Sequence, residues 1–329
     1  MAADNKSRVR LLRFSGWVVV PVAVSAVLIV SLSSRPASAP STRPADAKSA
    51  GPAVVSRTTG AGTGGGQREG APVAIDPAYF SPGACVAFPP TAGNRHLTVF
   101  LDAGHGGPDP GAVGTTSTGQ AINEADLTLP VELDSMAILR RAGFQVVVSR
   151  TGPGPVVRLT PADMSGNELT AAGVHADVAA RDVCANMAHA NVLVGVYFNS
   201  GASAANAGSI TAYDTARPFA ADNLRLADLV QSAVLGAMNA QGWQIPDAGV
   251  QSDAGLGSSL TAADNAYGHL LLLGPAKQGY FDTPSTMPGA LIEPLFITDP
   301  FEGSIAASGH GQQVMAAGLA RGIEQYFAA

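Results

Sequence analysis

The chain has 329 residues, of which 46% are hydrophobic and 13% are charged, and its formal net charge is −6. A chain that can bury this much apolar surface is not a highly charged disordered protein. Its two cysteines exclude a disulfide-rich miniprotein and a multi-cysteine zinc module, and its acidic balance excludes nucleic acid as a partner.

The N-terminus predicts export from the cytoplasm. Residues 1–13 carry four basic side chains and one acidic side chain, and the following segment, 14–32, has no charge. This apolar segment is long enough to span a bilayer as a helix, and the basic flank keeps the preceding end in the cytoplasm. We favour an uncleaved signal anchor over residues 1–32, and a signal peptide cleaved after Ala37-Ser38-Ala39 is the alternative. Both interpretations place the rest of the chain outside the cytoplasm, either tethered to the plasma membrane or secreted.

A linker and one folded domain are predicted after the N-terminal segment. Residues 33–75 are mostly Ser, Pro, Ala, Thr and Gly, with too few large aliphatic side chains to bury a core, so they predict a disordered linker. Residues 76–329 contain 22 acidic and 10 basic residues, which gives the predicted folded domain a net charge of −12. The domain is therefore more acidic than the value for the whole chain indicates.

Apolar runs and helical spacing alternate along this domain. The predicted strands are Leu97–Asp102, Gln145–Arg150, Val192–Phe198, Ser209–Tyr213, Leu270–Leu273 and Ala290–Phe296. The predicted helices are Asp126–Arg141, Asp177–His189, Ala220–Gln241 and Gly311–Phe327. Several of the strands are continuously apolar, which is typical of strands covered on both faces. The alternation predicts an α/β sandwich whose mostly parallel sheet is flanked by helices.

Polar side chains occur at the ends of three predicted strands, where sites in parallel α/β folds lie. His105 is on a glycine-rich turn after the first strand, Asn199 follows the third strand, and Glu293 interrupts the apolar last strand. His105 is either a metal ligand or an ordinary turn histidine, and Glu124 is either its partner or an acid in the first turn of a helix. A carboxylate in apolar surroundings, such as Glu293, must be paired, bound to a metal or protonated, which suits a general acid or base.

The order of these motifs resembles the zinc-dependent N-acetylmuramoyl-L-alanine amidases of bacterial cell walls, the type-3 amidase family. The resemblance extends from residue 97 to residue 327. The family's D-P-G-H-G-G turn is similar to Asp102–Gly107, and the Glu that opens its first helix is similar to Glu124. Its strand ending in T-R is similar to the strand that ends at Ser149-Arg150. Its helix with R-x-x-x-A-N is similar to Arg181–Asn186, and its last strand is similar to Pro288–Glu293.

One position departs from the family pattern. The family's third strand ends in S-I-H-A-N, whose histidine is the second imidazole on zinc, and Tyr197 occupies that position here. The resemblance implies a Zn²⁺ site made by His105, Glu124 and Tyr197, although a neutral phenol is a poor zinc ligand. In one alternative another histidine takes the place of the missing zinc ligand. His175 is the first candidate, whereas His269 precedes its predicted strand and so lies at the wrong end of it for this site. In the other alternative, zinc and activity are both lost.

The resemblance implies a peptidoglycan hydrolase that cleaves the amide bond between N-acetylmuramic acid and the L-alanine of the stem peptide. Zinc would polarise the carbonyl group and Glu293 would transfer the proton, while Asn199 and Arg181 are expected to bind substrate. Such an enzyme would act on the cell wall as a monomer, tethered to the membrane or secreted. The alternative is a catalytically inactive amidase-like module that binds wall fragments or regulates another hydrolase.

The two cysteines, Cys85 and Cys184, predict a disulfide because an exported protein folds in an oxidising compartment. The bond would join the segment before the first strand to the second helix across a loop of about 100 residues. Two buried free thiols are the alternative.

Overall fold

The computed structural model describes residues 70–256 and 261–328. The predicted membrane segment 14–32 and most of the predicted linker 33–75 lie outside the described residues. Within the described ranges, no helix combines the length and the apolarity that crossing a membrane requires. The fold begins before the predicted boundary at residue 76, since Val73–Ala74 already form a strand.

The described part of the chain forms twelve strands, and eight of them make one sheet. In chain order the strands are β1 Val73–Ala74, β2 Ala84–Phe88, β3 Thr98–Ala103, β4 Val113–Thr115, β5 Ala121–Asn123, β6 Gln145–Arg150, β7 Met164–Ser165, β8 Glu168–Leu169, β9 Val192–Val196, β10 Ser209–Tyr213, β11 Asp247–Ser252 and β12 Gly289–Glu293. The large sheet has the order β1-β2-β6-β3-β9-β12-β10-β11, and the other strands form the pairs β4-β5 and β7-β8.

Four parallel strands form the centre of the large sheet. Strands β6, β3, β9 and β12 run in the same direction, with Leu101 opposite both Val148 and Val194. They are buried along nearly their whole length because other segments cover both faces of the sheet. Strands β10 and β11 run the opposite way, since β10 is antiparallel to β12 and parallel to β11. Strands β3, β9 and β12 therefore terminate at one end of the sheet, here called the carboxyl end, and β10 and β11 terminate at the opposite end.

Helices form the layers on either side of the sheet. In chain order they are α1 Glu124–Arg141, α2 Ala171–Met187, α3 Ala220–Asn239, α4 Ala262–Tyr267, α5 Pro300–Ala307 and α6 Gly309–Ala328, with a 3-10 turn at Pro161–Asp163. One sheet face packs against α1, α3 and α6, and the other packs against α2 and the segment around Leu272. Because side chains alternate between the faces of a strand, Asp102 and Phe100 of β3 point toward the α2 layer.

Several predicted elements are confirmed with small shifts of their ends. Strands β6 and β10 have the predicted bounds. Helices α1 and α2 begin earlier than predicted, because the side chains of Asn123 and Thr170 accept backbone hydrogen bonds as N-caps. Strand β12 ends at Glu293 rather than at Phe296, because Pro294 has no N–H group to donate to a neighbouring strand.

The predicted strand Leu270–Leu273 is wrong. This segment forms a turn, and Leu272 and Leu273 are buried in the core between the sheet and α2. A short apolar run predicts burial, but it does not distinguish a strand from a turn that fills a core.

A disulfide joins Cys85 in β2 to Cys184 in α2, which confirms that prediction and excludes two free thiols. Both cysteines are fully buried, and their Cα atoms are 5.7 Å apart. Since β2 pairs with β6, the bond ties the helix on one sheet face to the outer part of the sheet. A buried disulfide is typical of a protein that folds in an oxidising compartment.

Candidate functional site

The candidate site lies at the carboxyl end of the sheet. Gly104, Tyr197 and Glu293 lie side by side there, because the backbone pairing of β3, β9 and β12 continues to these positions. His105 comes next, with a φ angle of 62° that is uncommon for any residue except glycine. Two more residues with positive φ, Gly106 and Gly107, follow it. The chain therefore turns back sharply after β3 and leaves the imidazole at the end of the sheet.

His105 is held between two carboxylates. Its Nδ1 atom lies 2.8 Å from Asp109 Oδ2, and its Nε2 atom lies 3.1 Å from Glu124 Oε2. Burial alone would lower the pKa of this imidazole, but the Glu124 and Asp109 carboxylates raise it to about 10. The ring is therefore fixed in orientation and carries a proton at neutral pH in this arrangement.

Glu124 connects the His105 turn to α1 and to the segment that follows β9. It is the first residue of α1, and its carboxylate is buried. Its Oε1 accepts a hydrogen bond from Phe198 N at 2.8 Å, and its Oε2 accepts one from Ala112 N at 3.0 Å. Gly111 leaves room for the pair, since a Cβ atom there would lie 2.6 Å from the His105 ring and 2.7 Å from Glu124 Oε2.

Glu293 is the last residue of β12 and lies beside this pair. Burial raises the pKa of its carboxyl to about 8, and the nearby Glu124 also raises it while His105 lowers it. A carboxyl group that titrates near neutral pH can accept a proton and return it, which is the requirement for a general acid–base catalyst. The structure thus brings together Glu293, Glu124 and His105.

Tyr197 is directed at Asp102. Its hydroxyl donates a hydrogen bond to Asp102 Oδ2 at 3.0 Å. Its ring lies across Gly104, where a Cβ atom would be 2.5 Å from ring atoms, and it meets the His105 ring edge-on with centroids 5.4 Å apart. Burial raises the pKa of this phenol well above its ordinary value, and the Asp102 carboxylate raises it further. Tyr197 is therefore a neutral hydrogen-bond donor in this structure.

Arg181 lies beneath the His105 turn. Its guanidinium is buried and donates hydrogen bonds to the Asp102 and Asp177 carboxylates and to the carbonyl oxygens of Ala103 and His105. These contacts hold the turn in place. Because the guanidinium is buried and engaged in these contacts, it is not exposed for the substrate binding that was predicted for Arg181.

Asn199 and His175 are also engaged within the protein. The Asn199 side chain is buried, and its Oδ1 accepts a hydrogen bond from Ser200 N at 2.8 Å. The His175 ring packs edge-on against Tyr280, with centroids 4.8 Å apart. Among the described residues, His175 forms no cluster of potential metal ligands with His105 or Glu124.

The donors at the carboxyl end do not complete a zinc site of the expected kind. A catalytic zinc takes three protein ligands and a water molecule. His105 Nε2 and Glu124 Oε2 supply two adjacent donors, but the Tyr197 hydroxyl is bonded to Asp102. Within residues 70–256 and 261–328, no third His, Cys, Asp or Glu converges on this pair at ligand distance. The residues present therefore do not fit a three-ligand zinc site.

Asp109 and Asp102 lie at the site, although the sequence pattern did not predict a role for either. Asp109 orients His105, and Asp102 receives hydrogen bonds from Tyr197 and Arg181. An acid four residues after a turn histidine is a usable signal for Asp109, because ligand histidines commonly donate their second N–H to a carboxylate. For Asp102 the signal is a charged residue at the end of a continuously apolar strand.

Residues 99–325 match the family model of N-acetylmuramoyl-L-alanine amidases. The structure of N-acetylmuramoyl-L-alanine amidase AmiC2 of Nostoc punctiforme is 24% identical to the chain, covers 72% of it and 100% of AmiC2, and has a TM-score of 0.50. The CwlD amidase from Clostridioides difficile, solved in complex with the GerS lipoprotein, is 20% identical, covers 70% of this chain and 98% of CwlD, and has a TM-score of 0.52. These likenesses show a shared fold. No curated protein matched the chain in a sequence comparison.

The chain is an α/β sandwich with a buried acidic site at the carboxyl end of its sheet. The family model matches more than half of the residues, so the chain belongs to the N-acetylmuramoyl-L-alanine amidase family. It is a peptidoglycan hydrolase of the cell wall, in a family whose members typically depend on zinc.

Proposed function

We propose that Glu293 is the proton-transfer group with which this hydrolase cleaves the amide bond between N-acetylmuramic acid and L-alanine. One observation carries the proposal: Glu293 from β12, Glu124 from α1 and His105 from the turn after β3 converge at the carboxyl end of the sheet. Family membership supports the identity of the bond, and the buried carboxyl group supports the role of Glu293.

Glu293 would act twice in one turnover. As a carboxylate it accepts a proton from water while the water oxygen bonds to the amide carbonyl carbon. As an acid it donates that proton to the amide nitrogen while the carbon–nitrogen bond breaks, which leaves a muramic carboxylate and the free amine of L-alanine. A pKa of about 8 makes both forms of Glu293 accessible near neutral pH.

His105 and Glu124 are the proposed metal ligands of this site, and they are two of the three donors that a catalytic zinc takes. Asp109 would support them, since its carboxylate fixes the orientation of the imidazole. Because the described residues supply no third donor, the proposal is limited to proton transfer by Glu293.

The proposed place of action is outside the cytoplasm, at the cell wall. The buried disulfide supports an oxidising compartment. Residues 1–32 would serve as a signal anchor or signal peptide, and residues 33–75 would serve as a flexible tether for the folded domain. Fractionation of cells expressing the full-length protein is expected to recover it in the membrane or secreted fraction, and recovery in the cytoplasm would contradict this placement.

The role of Glu293 is tested with Glu293→Gln. This variant should release stem peptide from purified peptidoglycan at least about 100-fold more slowly, because an amide cannot accept the proton. Glu168→Gln changes an exposed carboxylate on β8 and is the matched control, with wild-type activity expected. Circular dichroism of each variant establishes that it is folded. Wild-type activity in a folded E293Q protein would refute the assignment, and an inactive wild type would favour the wall-binding module instead.

A further inference from the structure

A second group of metal-ligating side chains lies away from the carboxyl end of the sheet. Asp214 follows β10, Asp253 follows β11, and His269 lies in the segment that connects β11 to β12. Strands β10 and β12 are antiparallel, and continuing their pairing places Asp214 beside the first residue of β12, whereas Glu293 is the last. The group therefore lies at the opposite end of the sheet from His105.

The three side chains converge on one point. His269 Nδ1 lies 2.8 Å from Asp214 Oδ2 and 3.4 Å from Asp253 Oδ1. One donor atom from each residue lies within 4.8 Å of the other two. Ligand atoms that bind one ion at about 2.0–2.2 Å are separated from each other by about 3 Å, so this spacing matches a shared ion.

Backbone amides orient both carboxylates toward His269. Asp214 Oδ1 accepts a hydrogen bond from Ala216 N at 2.7 Å, and Asp253 Oδ2 accepts one from Leu270 N at 3.1 Å. In each carboxylate the second oxygen is the one that faces the imidazole. Hydrogen bonds that orient the ligating groups in this way are a regular feature of metal sites.

Asp214 Oδ2 is an independent sign that a ligand belongs at this place. Asp214 and Asp253 are both fully buried. In the described part of the chain no group donates a hydrogen bond to Asp214 Oδ2, because its close contact with His269 lacks hydrogen-bond geometry. A buried carboxylate oxygen without a donor is destabilising, and two adjacent buried carboxylates repel each other. A cation between them would remove both penalties.

The neighbouring guanidinium of Arg217 does not fill this position. Arg217 is close enough to interact with Asp214 electrostatically. Its hydrogen bonds, however, go to the carbonyl oxygens of Gly274 and Ser285. Arg217 therefore holds the segment that connects β11 to β12 and leaves the space between the carboxylates to another cation.

An ion can reach this place from outside. The His269 side chain is 19% exposed. It lines a cavity of about 60 Å³ together with His175, Asp264, Tyr267 and Tyr280. Apolar side chains, among them Val174, Val178 and Leu271, form much of the rest of its wall, so a water molecule that completes the coordination of the ion would bind beside His269.

We propose that Asp214, Asp253 and His269 bind one divalent transition-metal ion, such as Zn²⁺, at a structural site separate from the catalytic one. One imidazole and two carboxylates suit Zn²⁺ or Mn²⁺, whereas Mg²⁺ and Ca²⁺ prefer oxygen ligands alone. The ion would fasten the segment that connects β11 to β12 against the ends of β10 and β11. The zinc content of the whole protein would then not report on the catalytic site by itself.

Zinc titration calorimetry of the full-length protein in a His105→Ala background tests this proposal, because that background removes a donor at the carboxyl end. The background protein is expected to bind one zinc ion and to show a higher Tm when zinc is added. Adding His269→Ala or Asp253→Asn should weaken zinc binding by more than about 100-fold and abolish the rise in Tm. His310→Ala, a change of an exposed histidine, is the matched control and should leave zinc binding unchanged.

Unchanged zinc affinity after either substitution, or a folded His105→Ala protein that binds no zinc, would overturn the proposal. Asp253→Asn preserves the side-chain volume and keeps the test decisive if His269→Ala fails to fold. Peptidoglycan hydrolysis by His269→Ala alone reports on the catalytic site separately, because this variant retains His105, Glu124 and Glu293.

Discussion

At the scale of single residues, the acids near His105 differ in what their carboxyl groups contact. Glu124 accepts hydrogen bonds from two backbone amides and faces the imidazole. Asp102 accepts hydrogen bonds from Tyr197 and Arg181. For Glu293 burial is the dominant influence, and it raises the pKa to about 8. Acids of the same type therefore have different surroundings, and those of Glu293 are the ones that suit the proposed proton transfer.

The substitution Tyr197→Phe tests whether this phenol is a structural donor or a metal ligand. Removing the hydroxyl takes one donor from the fully buried Asp102, so we expect the free energy of unfolding to fall by about 1–3 kcal/mol. Urea denaturation measures this loss, and peptidoglycan hydrolysis should persist because Glu293 is unchanged. Lost hydrolysis with unchanged stability would instead identify the hydroxyl as a ligand.

Glu132 should make the stability of the fold depend on pH. Burial raises the pKa of this α1 carboxyl to about 8, although Arg150 lowers it. Between its ordinary pKa of 4.5 and about 8, the folded state holds a proton that the unfolded state has lost. The free energy of unfolding therefore falls as the pH rises through this window, by up to about 1.4 kcal/mol per pH unit.

The substitution Glu132→Gln isolates this contribution, because the amide is neutral at every pH. Urea denaturation at about pH 5 and about pH 8 should show a smaller loss of stability in the variant than in the wild type. Other buried acids titrate equally in both proteins, so the difference between them belongs to Glu132. An identical loss in both would contradict the raised pKa.

At the scale of elements, the proposed catalytic site depends on the connection between β3 and α1. This connection contains His105, Asp109 and Gly111, and α1 begins at Glu124. Arg181 of α2 donates a hydrogen bond to the His105 carbonyl oxygen, and Asp177 of α2 accepts one from Arg181. The site therefore requires both helices to be docked on the sheet in their present positions.

The substitution Gly111→Ala tests the tightness of this connection. Gly111 has a φ angle of 65°, and a Cβ atom would lie within 2.7 Å of the His105 ring and Glu124. We expect hydrolysis to fall by about 100-fold, because the two side chains must move apart. Gly119→Ala is the matched control, since Gly119 also has positive φ but nothing within 4 Å of its Cβ position. It should lose only about 1–2 kcal/mol of stability, and equal activity loss in both variants would contradict the steric account.

The sequence predicts elements well where the apolar pattern is regular, as in β6, β10 and α3. It also predicts His105, Glu124 and Glu293 as site residues, because each stands at the end of an element. The hydrogen bond from Tyr197 to Asp102 was not predictable, since it depends on the side-chain conformation of Tyr197. The convergence of Asp214, Asp253 and His269 was not predictable either, because it depends on the packing of a segment that was wrongly expected to contain a strand.

At the scale of the whole molecule, the direction of the strands separates the two proposed sites. Strands β3, β9 and β12 end at the catalytic site, whereas β10 and β11 end at Asp214 and Asp253. The disulfide stabilises the end of the sheet where the proposed catalytic site lies. It joins β2 to α2, and Arg181 of α2 donates a hydrogen bond to the His105 carbonyl oxygen.

Removing the disulfide should destabilise the domain without changing its fold. The bond closes a loop with a sequence separation of 99 residues, so we expect Cys85→Ala combined with Cys184→Ala to lower the free energy of unfolding by about 3–5 kcal/mol. Urea denaturation with and without a thiol reductant measures this change. The wild type should lose stability when reduced and the double variant should not respond, and equal stability of the oxidised and reduced wild type would contradict the prediction.

The most direct measurement is mass spectrometry of the products that the full-length protein forms from purified peptidoglycan. We predict stem peptides with a free L-alanine amino terminus and glycan strands with free muramic carboxylates, formed by the wild type and not by Glu293→Gln. Cleavage within the glycan or between residues of the stem peptide, or equal amide cleavage by the two proteins, would contradict the assignment of Glu293 as the catalytic group of an amidase.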